Sequence, residues 1–247
     1  MRICVVHGQG HKGVTYTMTH EIIRNLPVKP EDIKEFFLPQ DGPSFCVGCN
    51  TCFLKGEEHC PEAHKVQPIM QAMEWADVIV LDSPNYVLEM SGSMKNLLDH
   101  FGYRWVTHRP SGTMFHKVGI TVCSSAGAPC THTVKSMEKQ LKWMCVPKVY
   151  RFPFICNALG IHDLKPKKRE EMEKKARKIA KKVKKYITHP RASFRSKFFF
   201  GMFRKMEMSP DAAWNPTDQN WWIQNGWTKD IRPWKALQRK KDNNEKN

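Results

Sequence analysis

Cys46, Cys49, Cys52 and Cys60 stand in the run FCVGCNTCFLKGEEHCP with the spacing C-x2-C-x2-C-x7-C. Thiolates bind metals and exchange electrons, and three at successive three-residue steps can turn their sulfurs around one compact object while a fourth closes it. That spacing suits a 4Fe-4S cubane better than zinc, whose usual pattern is two separated C-x-x-C pairs. Pro61 after Cys60 matches the C-P that ends ferredoxin-type runs. Three readings stay open for the four residues: a cluster, free redox-active thiols, and zinc or a structural role. The chain has nine cysteines, the others scattered through predicted core elements, so metal or redox chemistry is expected rather than a disulfide framework.

A second set of reactive residues follows the first apolar run, Ile3 to His7. Gly8-Gln9-Gly10-His11-Lys12-Gly13 matches G-x-G-x-x-G, the dinucleotide pattern, and Thr15, Tyr16, Thr17 and Thr19 come directly after it. A dinucleotide site wants an acidic residue about 20 residues further on, at the end of the second strand. The next predicted strand is Ile33 to Leu38, and the first acid after it, Asp41, lies 28 residues past Gly13. Free N-H groups, hydroxyls and Lys12 at a helix N-terminus suit a terminal phosphate dianion, which needs many donors and gains from the helix dipole. The pattern therefore favours a mononucleotide such as FMN, held by His11, Lys12, Gly13, Thr15, Tyr16 and Thr17.

The elements that must position these residues are organised around Ala76 to Phe101. Val78 to Leu81 is an unbroken apolar run of the kind buried on both faces of a parallel sheet. Pro84 removes a donor and fixes its own φ, so the strand is expected to end at Ser83-Pro84 and expose Asn85, Tyr86 and Val87. Ser91 opens a helix whose stripe is Met94, Leu97, Leu98 and Phe101. Strand, loop and helix in this order mark the place where open α/β sheets bind ligands.

Ser83-Pro84-Asn85-Tyr86 followed by Ser91-Gly92-x-Met94-Lys95-x-x-Leu98-Asp99 resembles the SPxY…(S/T)GxxKxxLD signature of the NAD(P)H-dependent FMN reductase family, a flavodoxin-like group. The resemblance implies that Pro84, Asn85, Tyr86 and Val87 lie against a flavin ring. It also implies that the small-residue turn Ser124-Ser125-Ala126-Gly127-Ala128 borders the ring from the other side, through Ser124, Ala126 and Gly127. The family's phosphate loop resembles GSxRxGSxT, and His11-Lys12-Gly13-x-Thr15 lines up with it, with Val14 where that family has serine. The cysteine motif resembles that of the iron-sulfur flavoproteins. In such a family NAD(P)H reduces the flavin and a second acceptor, a small molecule or a protein, takes the electrons. The flavin carries that chemistry, so no side chain is expected to be catalytic. The alternative is an iron-sulfur flavoprotein acting as an electron-transfer module with a protein partner.

Helices are expected over Val66 to Trp75, Thr131 to Trp143 and Glu170 to Ile187, and strands over Lys117 to Cys123 and Val149 to Cys156. Five alternating βα units predict a five-stranded parallel sheet of order 2-1-3-4-5 with helices on both faces. Residues 1–188 are read as this flavodoxin-like FMN-binding domain, and 189–247 as a basic, aromatic-rich C-terminal extension. In the extension Phe194, Phe198, Phe199, Met202, Phe203 and Met206 are expected to share one helical stripe. Trp214, Trp221, Trp222, Trp227 and Trp234 follow, and the residues from Arg239 are expected to fray. Disordered tails lack aromatics, so the extension should fold onto its own core or a partner subunit, with a homodimer favoured over an anionic membrane surface.

The chain of 247 residues has a formal net charge of +16, but 17 of its 40 basic residues and only 3 of its 24 acidic ones lie between Lys165 and Lys205. That excess is read as a solvated helix face, without the interleaved aromatic platform that nucleic-acid binding needs, so no nucleic-acid partner is expected. No apolar run approaches the roughly 20 residues that cross a bilayer. The N-terminus lacks the basic start and cleavage site of a signal peptide, so a cytoplasmic chain is expected.

Overall fold

The computed structural model describes residues 1–209 and 215–235, so Trp214 and the residues from Arg239 lie outside the described part. Five strands, β1 (Ile3–His7), β2 (Ile33–Phe37), β3 (Val78–Pro84), β4 (Val118–Ser125) and β5 (Lys148–Ile155), form an all-parallel sheet of order 2-1-3-4-5. Every residue of β3 and β4 is buried, which is why their sequences run apolar without alternation. Strand periodicity divides the core in two. Ile3, Val5, Val78 and Val80 face one layer, and Cys4, Val6, Ile79 and Leu81 the other.

The first layer is made by α1 (Val14–Arg24) and the long α6 (Pro166–Ile187), which set Met18, Ile22, Met172, Ala176 and Val183 against the sheet. In the loop after β2, α2 (Thr51–Leu54) is a single turn. The second layer holds α3 (Ala63–Trp75), α4 (Gly92–His100) and α5 (Thr131–Trp143). Ser91 caps α4 by accepting from the Met94 amide, the pairing that satisfies one of the orphan donors of a first turn. Met94, Leu97, Leu98 and Phe101 are all buried.

β3 ends at Pro84, where the sequence placed its end, in register with Ser124 of β4. Asn85 donates its amide to Ser124 on the β4 side, so the missing donor of Pro84 faces the β1 side, where β1 has ended at His7 and nothing is lost. One expectation is corrected, and it concerns α7 (Phe194–Met208). Phe194, Phe198 and Met202 of the expected stripe are exposed, and the buried positions are Ser196, Phe200 and Glu207. This helix is aromatic on more than one side, so its orientation is set by its neighbours. Phe200 is enclosed by Phe115, Trp222, Trp227 and Trp234 at centroid distances of 4.8 to 5.6 Å, with Trp222 supplied by α8 (Pro216–Gln224). No helix among the described residues is long and apolar enough to cross a membrane.

Candidate functional site

The loop from Gly8 to Gly13 leaves β1 and enters α1 with its glycines under steric demand at one point. A Cβ on Gly8 would stand 2.8 Å from Ser91 Oγ and 2.9 Å from the Asp82 carbonyl oxygen, so only glycine lets β1 turn beneath α4. The Gly8 amide donates to that Asp82 carbonyl at 2.7 Å, and Ser93 Oγ donates to the Gly8 carbonyl at 3.1 Å. The first turn of α1 carries no acidic residue and no side chain caps it. Its amides and dipole are thus available to an anion, with exposed His11 and Lys12 beside them. Of the hydroxyls, Thr15 is buried and lies 2.7 Å from Ser124 Oγ. Thr17 donates back to the Gly13 carbonyl at 3.0 Å, and Thr19 donates under the sheet to Asp82 at 2.7 Å. Tyr16 stacks on His20 at 4.0 Å, with the Lys12 ammonium 5.3 Å from its ring centre. Val14, where serine was expected by resemblance, is buried in the core.

Ser124 is the joint of three loops. Its hydroxyl meets Thr15, and its carbonyl accepts the Asn85 amide at 3.0 Å. Asn85 is fixed further by Thr133, whose hydroxyl donates to its Oδ1 at 2.6 Å. Past Asn85 the chain makes a tight reversal in which Tyr86 and Glu89 exchange backbone hydrogen bonds of 2.8 and 3.0 Å. At its tip Val87 and Leu88 adopt φ of 50° and 66°, a region that β-branched residues rarely enter and that is held at ligand-facing sites. Tyr86, Val87 and Leu88 are exposed, Val87 by 97%. Ala126 and Gly127, in the turn after β4, are exposed as well. The donor set fits FMN: free helix amides for a terminal phosphate, and an exposed apolar tip and an exposed small-residue turn, joined through Ser124, for a flat ring. Beside the phosphate loop, a cleft of about 440 Å³ is lined by Leu38, Pro39, Phe45, Ser93 and Asn96 among others.

The cysteine loop runs along one side of that cleft. Cys46 and Cys49 are exposed, Cys52 and Cys60 partly buried, and all four are unbridged. Burial pushes the Cys52 thiol up to about 11, the neighbouring Cys60, Cys46 and Cys49 add to this, and the Arg109 cation opposes it. Burial also raises Cys60, again with Cys49 and Cys46 contributing. The hydroxyl and amide of Thr51 lower the thiol pKa of Cys49. The four thiols thus lie within one another's electrostatic reach. Among the described residues, no three cysteine sulfurs converge within 4.8 Å. Cys46, Cys49, Cys52 and Cys60 all sit in the loop between β2 and α3.

Its anchors were not legible in the sequence. Arg109, 2% exposed, donates to the carbonyls of Cys52 and Phe53, to Glu57 and to Asp218 of α8. Arg104 pairs with Glu57 at 3.0 Å, and Thr217 donates to the Leu54 carbonyl at 2.8 Å. The partners are too far apart in sequence for spacing to suggest them.

Residues 1–154 match the family model described as NADPH-dependent FMN reductase. An iron-sulfur flavoprotein of Archaeoglobus fulgidus is 28% identical over 154 residues, covering 60% of this chain and 66% of the relative. An iron-sulfur flavoprotein of Methanocaldococcus jannaschii is 22% identical over 99 residues, covering 40% and 50%. The chain thus spans less than two thirds of each. An FMN-dependent NADH-azoreductase from Bacillus anthracis str. Ames Ancestor, in complex with FMN, superposes with a TM-score of 0.58 at 13% identity, over 74% of this chain and 99% of that one. A flavone reductase superposes with a TM-score of 0.56 at 16% identity, over 76% and 64%. At such identities these superpositions report the fold.

Proposed function

This chain belongs to the NADPH-dependent FMN reductase family, and from that premise we propose that it is an FMN-dependent oxidoreductase passing electrons from NAD(P)H to a second acceptor. The observation that carries the reading is the convergence on Ser124 of the loops after β1, β3 and β4. The amides opening α1, with His11 and Lys12, hold the phosphate. Tyr86, Val87 and Leu88 cover one side of the ring, and Ser124, Ala126 and Gly127 border the other. FMN, when bound, supplies the two-electron chemistry with the nicotinamide. The protein's part is to fix the ring and leave one face open, so that nicotinamide and acceptor use it in turn. In this proposal residues 1–188 form the flavin-binding unit, α7 and α8 of the extension 189–247 dock on it, and the exposed Phe194, Phe198 and Met202 serve a homodimer contact. The purified protein should be yellow and release flavin on denaturation. Protein that holds no flavin and does not bind added FMN removes the proposal.

A second reading is favoured by the cysteine loop: an iron-sulfur flavoprotein that exchanges electrons with a protein partner. Cys46 and Cys49 are exposed and flanked by Phe45 and Val47, which are 79% and 82% exposed, an apolar rim of the kind that marks contact surfaces. Cys46, Cys49, Cys52 and Cys60 would hold a 4Fe-4S cluster. Stopped-flow mixing with NADPH and NADH separates the readings. Rapid bleaching of the flavin by either nucleotide supports the first, and none by either supports the second.

A further inference from the structure

A cluster that the flavin loops do not use lies at the carboxyl end of β1. His7, the last residue of that strand, points its Nε2 at Glu35 Oε1 of β2, 2.9 Å away, and His20 Nε2 of α1 lies 2.8 Å from the same oxygen. These three atoms all fall within 4.8 Å of one another. On its far side His7 Nδ1 stands 2.7 Å from Asp82 Oδ2, which also accepts the Thr19 hydroxyl at 2.7 Å, while Asp82 Oδ1 is buried with no hydrogen-bond partner. Phe37 and Tyr16 pack on the two imidazoles at centroid distances of 4.5 and 4.0 Å, which limits their rotation.

We propose that His7, His20 and Glu35 form a binding site for a divalent first-row transition metal ion such as Zn²⁺, with Asp82 as the outer partner that orients His7. Two imidazole nitrogens and one carboxylate oxygen make a donor set that suits these ions and leaves a position for water. Donors on one ion with bonds of about 2.1 Å stand roughly 3.0 to 3.4 Å apart, so the two imidazole-to-carboxylate spacings of 2.9 and 2.8 Å need shifts of only tenths of an ångström. With Nδ1–H given to Asp82, His7 presents the Nε2 lone pair to the ion, the arrangement seen where a carboxylate backs a metal-binding histidine. Charge favours a cation as well. Among the described residues, the ion-pair partners of Asp82 and Glu35 are these two histidines alone. With neutral imidazoles the cluster carries two negative charges, which one divalent ion neutralises. Glu35 and His20 are about a quarter exposed, at 27% and 28%, so the ion enters from solvent on that side.

The test uses full-length, chelator-treated protein in which Cys46, Cys49, Cys52 and Cys60 are all serine, titrated with Zn²⁺ in a calorimeter. One saturable site is expected. Adding His20→Ala or Glu35→Gln should weaken it by more than the roughly 10- to 100-fold that loss of an outer partner costs. No saturable binding, or binding indifferent to both substitutions, overturns the proposal. If the serine variant does not fold, cadmium-113 NMR of the wild-type chain decides instead. A resonance in the nitrogen/oxygen range that Glu35→Gln removes supports the site, and thiolate-range resonances alone overturn it.

Discussion

Arg109→Met removes the cation at which the cysteine loop and the C-terminal helices meet. The side chain is 2% exposed and its acceptors are the Cys52 and Phe53 carbonyls, Glu57 and Asp218, the last fully buried. Methionine keeps most of the apolar length, so the loss is electrostatic rather than a cavity. Glu57 retains Arg104 at 3.0 Å, and Asp218 retains His108 at 2.7 Å and Asn215 at 3.1 Å. Neither acid is abandoned outright. Removing one partner of a buried pair costs roughly 3 to 5 kcal/mol, and the retained partners place this case near 3 kcal/mol. Against a typical stability of about 5 to 15 kcal/mol this is a large fraction. Urea unfolding of the wild-type and variant chains measures it, and limited proteolysis within residues 45–61 reports whether the loop is released. Asp218→Asn in the Arg109→Met background removes the stranded charge and should recover about 1 kcal/mol, giving a non-zero coupling in the double-mutant cycle. A single-variant loss below about 1 kcal/mol, or strict additivity of the pair, refutes the anchoring argument.

Three further outcomes follow from individual residues. In anaerobically prepared protein Cys49→Ser should abolish about four irons per chain while FMN stays bound; wild-type protein with flavin but no iron or acid-labile sulfide rejects the cluster. Val87→Gly relieves a β-branched residue at φ 50° and should stabilise the flavin-free protein by about 0.5 to 1 kcal/mol while weakening FMN binding several-fold, which thermal unfolding and flavin titration report separately. Glu207 is 1% exposed, and burial, with Asp218 nearby, raises its carboxyl from 4.5 to about 7. The fold therefore prefers the protonated acid, and the stability it contributes is complete below about 4.5 and lost as pH rises through about 7. Glu207→Gln should flatten this decline and gain up to about 3 kcal/mol at pH 8; unfolding curves with parallel pH dependence in both proteins would contradict it.

The strand order and the two-layer core were legible because they rest on local signals. Buried parallel strands read as apolar runs, and helices as stripes such as Met94, Leu97, Leu98 and Phe101. The misreading came where a local signal was overruled by neighbours. On α7 no single stripe dominates, so Phe115 and Trp222 decide that Phe200 goes in and Phe198 stays out. Those neighbours are not present in the segment itself.

The candidate site divides along the same line. The phosphate loop and the Asn85-to-Val87 turn are short contiguous segments, so a motif can name them as candidates. Asp82 also left a trace, as an acid inside an otherwise apolar strand, although its partners His7 and Thr19 could not be named from spacing. Arg109 and Asp218 left none, and they bear on how the cysteine motif is understood. The family match ends at residue 154, while the loop carrying the motif is tied through Arg109 and Thr217 to α8, well beyond that point. A loop with exposed Phe45 and Val47 and one turn of helix has little internal packing to hold four sulfurs in place. Its geometry must come from outside, and the buried ion pairs supply it. The cysteine motif and the C-terminal helices therefore form one structural unit, and truncation after α6 should disturb the thiols before it disturbs the flavin loops.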